Sequence, residues 1–179
     1  YEITYGDWSS DVCSSDLWTG DMSLWSVDSG EIVGKAPEGL KKNEWLKAPT
    51  EVRDFKLTVQ VKLTPTGNSG IQFRSEARPN GDVAGPQADI GAGCWGKLYE
   101  EHGRGLLVKE GGEKHVKVGD WNDYAVEAKG SRVRIWINGQ QVADYTDEKL
   151  AKRGILAFQL HSGGPQEVRY RNFKLEVME

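Results

Sequence analysis

An alternation of apolar and polar residues constrains the fold of this chain more than any other feature. Its clearest run is FKLTVQVKL, from Phe55 to Leu63, in which every second side chain is apolar. Successive side chains of an extended strand point to opposite faces, so this segment has one face for a core and one for water. Similar short runs recur along the 179 residues, with turns spaced by roughly eight to twelve residues, as in antiparallel sandwiches. The pattern predicts an all-β sandwich of two antiparallel sheets.

Turn residues predict how several of these strands are connected. Asp28 to Gly30 joins a strand around Trp25 and Val27 to a second one at Glu31 to Val33. The pair Asn138-Gly139 is typical of a tight hairpin turn.

Two local departures from the strand pattern are also predicted. In the last strand, the alternation slips near Arg171 and Asn172, which indicates a β-bulge. Asp147 to Arg153 is the single segment for which we expect a helix, one or two turns long.

Composition excludes two classes of partner and favours a third. The net charge is −4, with a sequence pI near 5.5, and no segment gathers the basic residues that a nucleic-acid groove needs. No apolar stretch is long enough to span a membrane. Seven tryptophans and six tyrosines beside 22 glycines favour a protein that handles sugars, because aromatic faces pack against pyranose rings.

The N-terminal segment Gly6 to Leu17, GDWSSDVCSSDL, has no apolar period. It resembles the in-frame translation of a sequencing-library adapter, and a flexible Ser-rich leader is the alternative. On either interpretation we divide the chain into a non-native leader, 1–17, and a single β-sandwich domain, 18–179. Cys13 lies in the leader, so no disulfide with Cys94 is expected.

The glycines Gly91, Gly93 and Gly96 match the dinucleotide-binding spacing, but the residues that follow lack the helical period that this motif requires. No spaced His/Cys cluster indicates zinc and no G-x-S-x-G sequence indicates a serine hydrolase. We therefore expect no required cofactor, with a divalent metal left open.

Three strands carry polar pairs two residues apart, which places each pair on one face. These pairs are Gln72 with Arg74, Gln87 with Asp89, and Gln159 with His161. The predicted strand from Ile155 to His161 is apolar on both faces until this last pair, which favours the floor of a cleft over a satisfied internal histidine. The loop histidines His102 and His115 are expected to be solvated.

The polar stretch after Gly85 supplies further candidates, namely Trp95, Tyr99, Glu100, Glu101 and Arg104. Glu100 and Glu101 are adjacent, so in a strand they face opposite ways and cannot form one glycosidase carboxylate pair. A pair would have to join different strands, such as Asp89 with Glu100 or Glu101.

Five separated motifs carry a resemblance to a known family. They are NSGIQFR at 68–74, GPQADIG at 85–91, WGKLYEEHGRG at 95–105, WNDYAVEAKGSRVRIWINGQQVADY at 121–145, and LAFQLHSG with VRYRNFKL at 156–175. In order and spacing, the chain resembles the 3-keto-disaccharide hydrolase family. The resemblance implies a concanavalin-like jelly roll, an exported bacterial protein and a small carbohydrate substrate already oxidised at C3.

The chemistry that the resemblance implies is elimination followed by hydration. A ketone at C3 acidifies the C2 proton, so a base, a group that polarises the ketone and an acid suffice. His161 or Asp89 is the expected base, Arg74 the cation at the ketone, and Tyr99 or a glutamate the acid. Expected substrate-binding residues are Gln72, Gln87, Glu101, Arg104, Gln159 and Trp95. A carbohydrate-binding module and a classical two-carboxylate hydrolase are the alternatives.

The parity of the strands predicts that six of these residues share one concave face, namely Arg74, Gln87, Asp89, Tyr99, Glu100 and His161.

Overall fold

The structure, a computed structural model, describes residues 2–4 and 18–178. It confirms the all-β prediction, since two antiparallel sheets account for the fold of this part of the chain. The strands are β1 Glu2–Thr4, β2 Trp25–Asp28, β3 Glu31–Ala36, β4 Glu44–Val52, β5 Asp54–Leu63, β6 Asn68–Ala77, β7 Val83–Gly91, β8 Leu98–Glu101, β9 Gly105–Val108, β10 Asn122–Lys129, β11 Arg132–Ile137, β12 Gln140–Thr146, β13 Gly154–Leu160 and β14 Gln166–Met178. A 3-10 turn covers Glu113–His115.

One sheet has eight strands, in the order β12-β11-β10-β5-β14-β3-β2, with β1 also paired to β14. The other has six, in the order β4-β13-β6-β7-β8-β9. We call these the eight-stranded and the six-stranded sheet. Neighbouring strands are therefore often distant in sequence, and each sheet draws on both halves of the chain.

The core lies between the two sheets. The apolar positions of β5 that the alternation singled out are all buried there, and Phe55 packs edge-to-face on Phe73 of β6 in the other sheet. Phe158 of β13 stacks on Tyr170 of β14 with ring centroids 4.1 Å apart. These contacts between sheets fix which face of each strand is internal, and so which face is left for a site.

The predicted turns are confirmed. Asn138 and Gly139 both have positive φ, 49° and 79°, as the tight turn between β11 and β12 requires. The predicted bulge in β14 is present too: its register with β5 shifts between Arg171 and Lys174, and Asn172 has a φ of 55°.

The helix predicted from Asp147 to Arg153 is wrong, because this segment forms turns. The Asp147 carboxylate accepts the backbone N–H of Lys149 at 2.8 Å, and the Asp147 carbonyl accepts that of Leu150. Aspartate that bonds to its own backbone in this way favours a turn over helix propagation.

Residues Glu2–Thr4 extend the eight-stranded sheet by pairing with Lys174 to Glu176 of β14. The adapter-like segment Gly6 to Leu17, with Cys13, lies outside the described residues. Cys94 is a free cysteine. No helix within the described ranges is long and apolar enough to cross a membrane.

Candidate active site

The outer face of the six-stranded sheet, which points away from the eight-stranded sheet, carries the polar side chains that the sequence singled out. Gln72 on β6 pairs with Gln87 on β7 and with Ala157 on β13, while Gln87 also pairs with Tyr99 on β8. Residues directly opposite one another in a ladder project from the same face. Because the neighbours Phe158, Ala88 and Leu98 belong to the core, this row projects outward.

Three glutamines on this face form a buried cluster around one carboxyl group. The side-chain amides of Gln72 and Gln87 are 3.1 Å apart, and Gln87 Nε2 donates to Asp89 Oδ1 at 2.8 Å. Gln87 Nε2 also lies 3.4 Å from Gln159 Oε1. Gln72 and Gln159 are fully buried, and Asp89 is only 8% exposed. Polar groups withdrawn from water to this extent are normally held by one another. Gln72, Gln87 and Asp89 are held in this way, whereas Gln159 Nε2 is buried without a hydrogen-bond partner among the described residues.

Gly70 makes room for this arrangement. A Cβ atom at position 70 would lie 2.5–2.7 Å from the side-chain amide of Gln87, which is closer than real contacts allow. The missing side chain therefore lets Gln87 extend across β6 towards Gln159 on β13.

Burial sets the protonation of Asp89. Withdrawal from water raises the pKa of Asp89 from 3.8 to about 7, and the negative charge of Glu101 adds to this rise. The hydrogen bond from Gln87 and the positive charge of Lys97 act in the opposite direction and lower the pKa. Burial also raises the pKa of Glu101; the nearby His102 and His161 oppose this change, and Asp82 adds to it. Shifted carboxyl groups of this kind are typical of functional sites.

His161 follows β13 at the edge of the cluster. Its backbone N–H bonds to the Asn68 carbonyl, which continues the register of β13 with β6. Its ring Nδ1 lies 2.6 Å from the carbonyl oxygen of Ser162. A carbonyl only accepts, so Nδ1 carries the hydrogen and Nε2 of the neutral ring is left with its lone pair.

A second group on this face was missed by the sequence analysis. Trp45 Nε1 donates to Asp82 Oδ1 at 2.8 Å, and His102 Nε2 lies 2.6 Å from Asp82 Oδ2. His102 lies at the solvated surface as expected, with its side chain 37% exposed, but its ring is also paired with Asp82. Asp82 and His102 are twenty residues apart and lie in turns, so no strand pattern could have linked them.

These residues line a cavity of about 410 Å³. Its walls include Trp45, Lys47, Asn80, Asp82, Glu101 and His102. It is of a size that accommodates a small ligand.

Arg74 does not belong to this face, and the prediction that it does is wrong. The register of β6 with β7 shifts after Gln72, and Arg74 has a φ of 49°, so the strict alternation ends there. The guanidinium donates to the carbonyls of Arg53 at 2.5 Å and Gly130 at 2.7 Å, and to Asp54 Oδ1 at 2.8 Å. It is buried against one end of the eight-stranded sheet, where it holds the two sheets together.

Glu100 and Arg104 also lie away from the cluster. Glu100 pairs with Pro86 and directly follows Tyr99 in β8, so its side chain projects from the face opposite to that of Tyr99. There it accepts hydrogen bonds from Arg104, which also bridges to Asp147. The predicted convergence is therefore wrong for Glu100 as well as for Arg74, whereas the register places Gln87, Asp89 and Tyr99 on one face.

Trp95 is not a surface platform for sugar. It is 6% exposed and packs in the core against Tyr124, with the ring centroids 6.4 Å apart. Within residues 18–178, no group of three or more His, Cys, Asp or Glu side chains is arranged to hold a metal ion.

The chain belongs to the family described as the 3-keto-alpha-glucoside-1,2-lyase-like domain, whose model matches residues 6–176. No curated protein sequence matches the chain.

Solved structures with the same fold include both enzymes and binding proteins. A protein from Parabacteroides distasonis ATCC 8503, provisionally named a glycosyl hydrolase, superimposes with a TM-score of 0.74 at 17% identity, covering 99% of this chain and 100% of its own. The carbohydrate-binding module CBM66 from Bacillus subtilis has a TM-score of 0.65 at 16% identity, with 89% and 96% covered. A Bacillus subtilis protein with a galectin-like fold has a TM-score of 0.67 at 12% identity and full coverage of both chains. At these identities the likeness establishes the fold, a jelly-roll-like sandwich.

Proposed function

We propose that this protein cleaves 3-keto-glycosides by eliminating the group at C1 and then adding water. The observation that carries the proposal is Asp89, a carboxyl group buried among three glutamines, with a pKa of about 7, on a face that also bears Glu101 and His161. Membership of the family supports a keto-sugar substrate. A carbohydrate-binding module needs no such titratable group, because it holds its ligand mainly by ring stacking and hydrogen bonds.

In this proposal, His161 is the base. Its Nδ1 is fixed on the Ser162 carbonyl, so the lone pair of Nε2 takes the C2 proton of the substrate. The electrons of the C2–H bond move towards the C3 ketone and give an enolate. When the enolate returns to a ketone, the C1–O bond breaks and a C1–C2 double bond forms.

Asp89 replaces Arg74 as the group that stabilises charge at the ketone. A carboxyl group with a pKa of about 7 is substantially protonated at neutral pH, and Gln87 occupies Oδ1, so the Oδ2 hydroxyl donates to the developing enolate oxygen. Water then adds at C1, and protonated His161 returns a proton to C2. The products are the free leaving group and a 3-keto sugar, and the chemistry needs no cofactor. We further propose that the natural protein is exported, as the family resemblance implies.

The test compares a 3-keto-glucoside with the matched unoxidised glucoside, both incubated in D2O. We expect release of the leaving group from the keto compound alone, and deuterium at C2 of the product. His161→Ala should abolish both the release and the incorporation of deuterium. Release from the unoxidised glucoside would instead support a two-carboxylate hydrolase, and tight binding without turnover of either compound would support a binding module.

A further inference from the structure

The pair of Asp82 and His102 has the geometry of an oriented acid–base group, although the proposed function does not use it. Asp82 Oδ2 lies 2.6 Å from His102 Nε2, and Trp45 Nε1 holds the other carboxylate oxygen at 2.8 Å. A carboxylate bound on both oxygens is fixed in position, so it also fixes the imidazole ring that it holds. Nδ1 of His102 takes no part in this pair.

The charge on Asp82 is maintained by its partners. Burial acts to raise its pKa, but hydrogen bonds from the Val83 N–H, His102 and Trp45 together keep the pKa below its ordinary value. An ionised partner stabilises the imidazolium form of histidine, which is the form that can donate a proton.

The backbone at His102 also differs from its surroundings. Its φ is 54°, in the left-handed region that few residues other than glycine occupy, although histidine does so more often than most. This turn joins β8 to β9 and directs the ring at Asp82 across the cavity wall, 3.9 Å from Glu101 Oε1.

The cavity favours a hydroxyl-rich group beside His102. Its lining includes Lys47, Asn80 and Glu101, whereas Trp45, its aromatic member among the described residues, is 2% exposed and offers no open ring face. Hydrogen-bonding side chains without an open aromatic surface suit a second sugar better than an aryl group.

We propose that His102, oriented by Asp82, is the catalytic acid that protonates the glycosidic oxygen as the C1–O bond breaks. The inference rests on the proposed function and adds to it a residue and a site for the leaving group. In the elimination step, the Nδ1 proton of His102 passes to the leaving oxygen, which departs as an alcohol. In the hydration step, the water that adds at C1 gives one proton back to His102, so the group is regenerated at the end of each cycle.

The substitution His102→Asn removes the acid but suits the backbone, because asparagine tolerates positive φ. Two 3-keto-glucosides are compared, one with a 4-nitrophenyl and one with a methyl leaving group. The methyl glycoside would release a strongly basic alkoxide, so its leaving oxygen needs a proton. The 4-nitrophenyl glycoside releases a stable phenolate, which hardly needs one. We expect turnover of the methyl glycoside to fall by about 10²–10⁴-fold, and that of the nitrophenyl glycoside by less than about 10-fold.

Two further variants complete the experiment. Asp82→Asn should show the same preference for the good leaving group with a smaller loss, since it keeps the imidazole but removes the charged partner that orients it. His115→Gln, at the remote 3-10 turn, is the matched control and should leave both rates unchanged.

An equal loss on both substrates, or no loss on either, would overturn the role of His102 while leaving the proposed function in place. If the unmodified protein released nothing from either keto compound, the proposed function itself would fail, and this role with it. Unfolding curves of each variant show that the comparison is made on folded protein.

Discussion

The outer faces of the two sheets have the same alternating sequence pattern but opposite environments. On the eight-stranded sheet, polar side chains pair with one another at the surface: Arg132 with Asp144 at 2.6 Å, and Gln60 with Asp123 at 2.8 Å. On the six-stranded sheet, Gln72 and Gln159 are fully buried. A second apolar cluster, formed by Trp45, Val83 and Ala157, lies on the same side. Alternation thus identifies a polar face, and only its burial turns that face into a candidate site.

The sharpest test of this comparison is a matched pair of aspartates. Asp89→Ala should reduce turnover of a 3-keto-glucoside by about 10²–10³-fold, the usual cost of losing a donor at a developing oxyanion. Asp123→Ala, on the outer face of the eight-stranded sheet, should leave turnover unchanged because Asp123 is exposed and outside the site. Steady-state kinetics of both variants check this, and equal losses would mean that burial does not separate the two faces.

Arg74 should matter for stability rather than for chemistry. Arg74→Met leaves the carbonyls of Arg53 and Gly130 and the carboxylate of Asp54 without their buried donor, which should lower the free energy of unfolding by about 3–5 kcal/mol. Arg132→Met, which removes an exposed pair with Asp144, should leave the free energy of unfolding almost unchanged. Urea denaturation measures both. A fully stable Arg74→Met protein that had lost turnover would restore the arginine to the active site.

Asp89 should make the protein less stable as the pH rises. The pKa of Asp89 is about 7 in the folded protein and near 3.8, its ordinary value, in the unfolded chain. Between these values the folded state holds a proton that the unfolded state has released, so stability falls as the pH increases from 4 to 7. The full effect is on the order of 4 kcal/mol, at about 1.4 kcal/mol per pKa unit. Asp89→Asn should remove this fall, as unfolding curves at pH 4 and pH 8 would show; an unchanged pH dependence would contradict the assignment.

The smallest expected effect concerns Gln87. Its hydrogen bond lowers the pKa of Asp89, so Gln87→Leu should move that pKa above about 7. If protonated Asp89 is the active form, the alkaline limb of the pH–rate profile shifts upward with it. Gln60→Leu, on the eight-stranded sheet, is the matched control. A profile that did not move would indicate that Gln87 only fills space.

The sequence by itself determined the fold class, the alternation that places Gln87 and Asp89 on one face, the Asn138-Gly139 turn and the bulge at Asn172. These are local properties, set by the period of side chains along a strand and by residues that accept positive φ. The alternation gave the wrong face for Arg74 because a bulge interrupts β6, and the Asp147 segment formed turns because its carboxylate bonds to nearby backbone.

Only the tertiary structure decided which polar face is withdrawn from water and which distant residues meet there. Asp82 and His102 lie in separate turns, and Gln159 reaches Gln87 across a strand whose Gly70 has no side chain. Their proximity depends on strand order and on burial by neighbouring segments. Neither is encoded in the period of any single strand, because both are set by contacts between residues far apart in the chain.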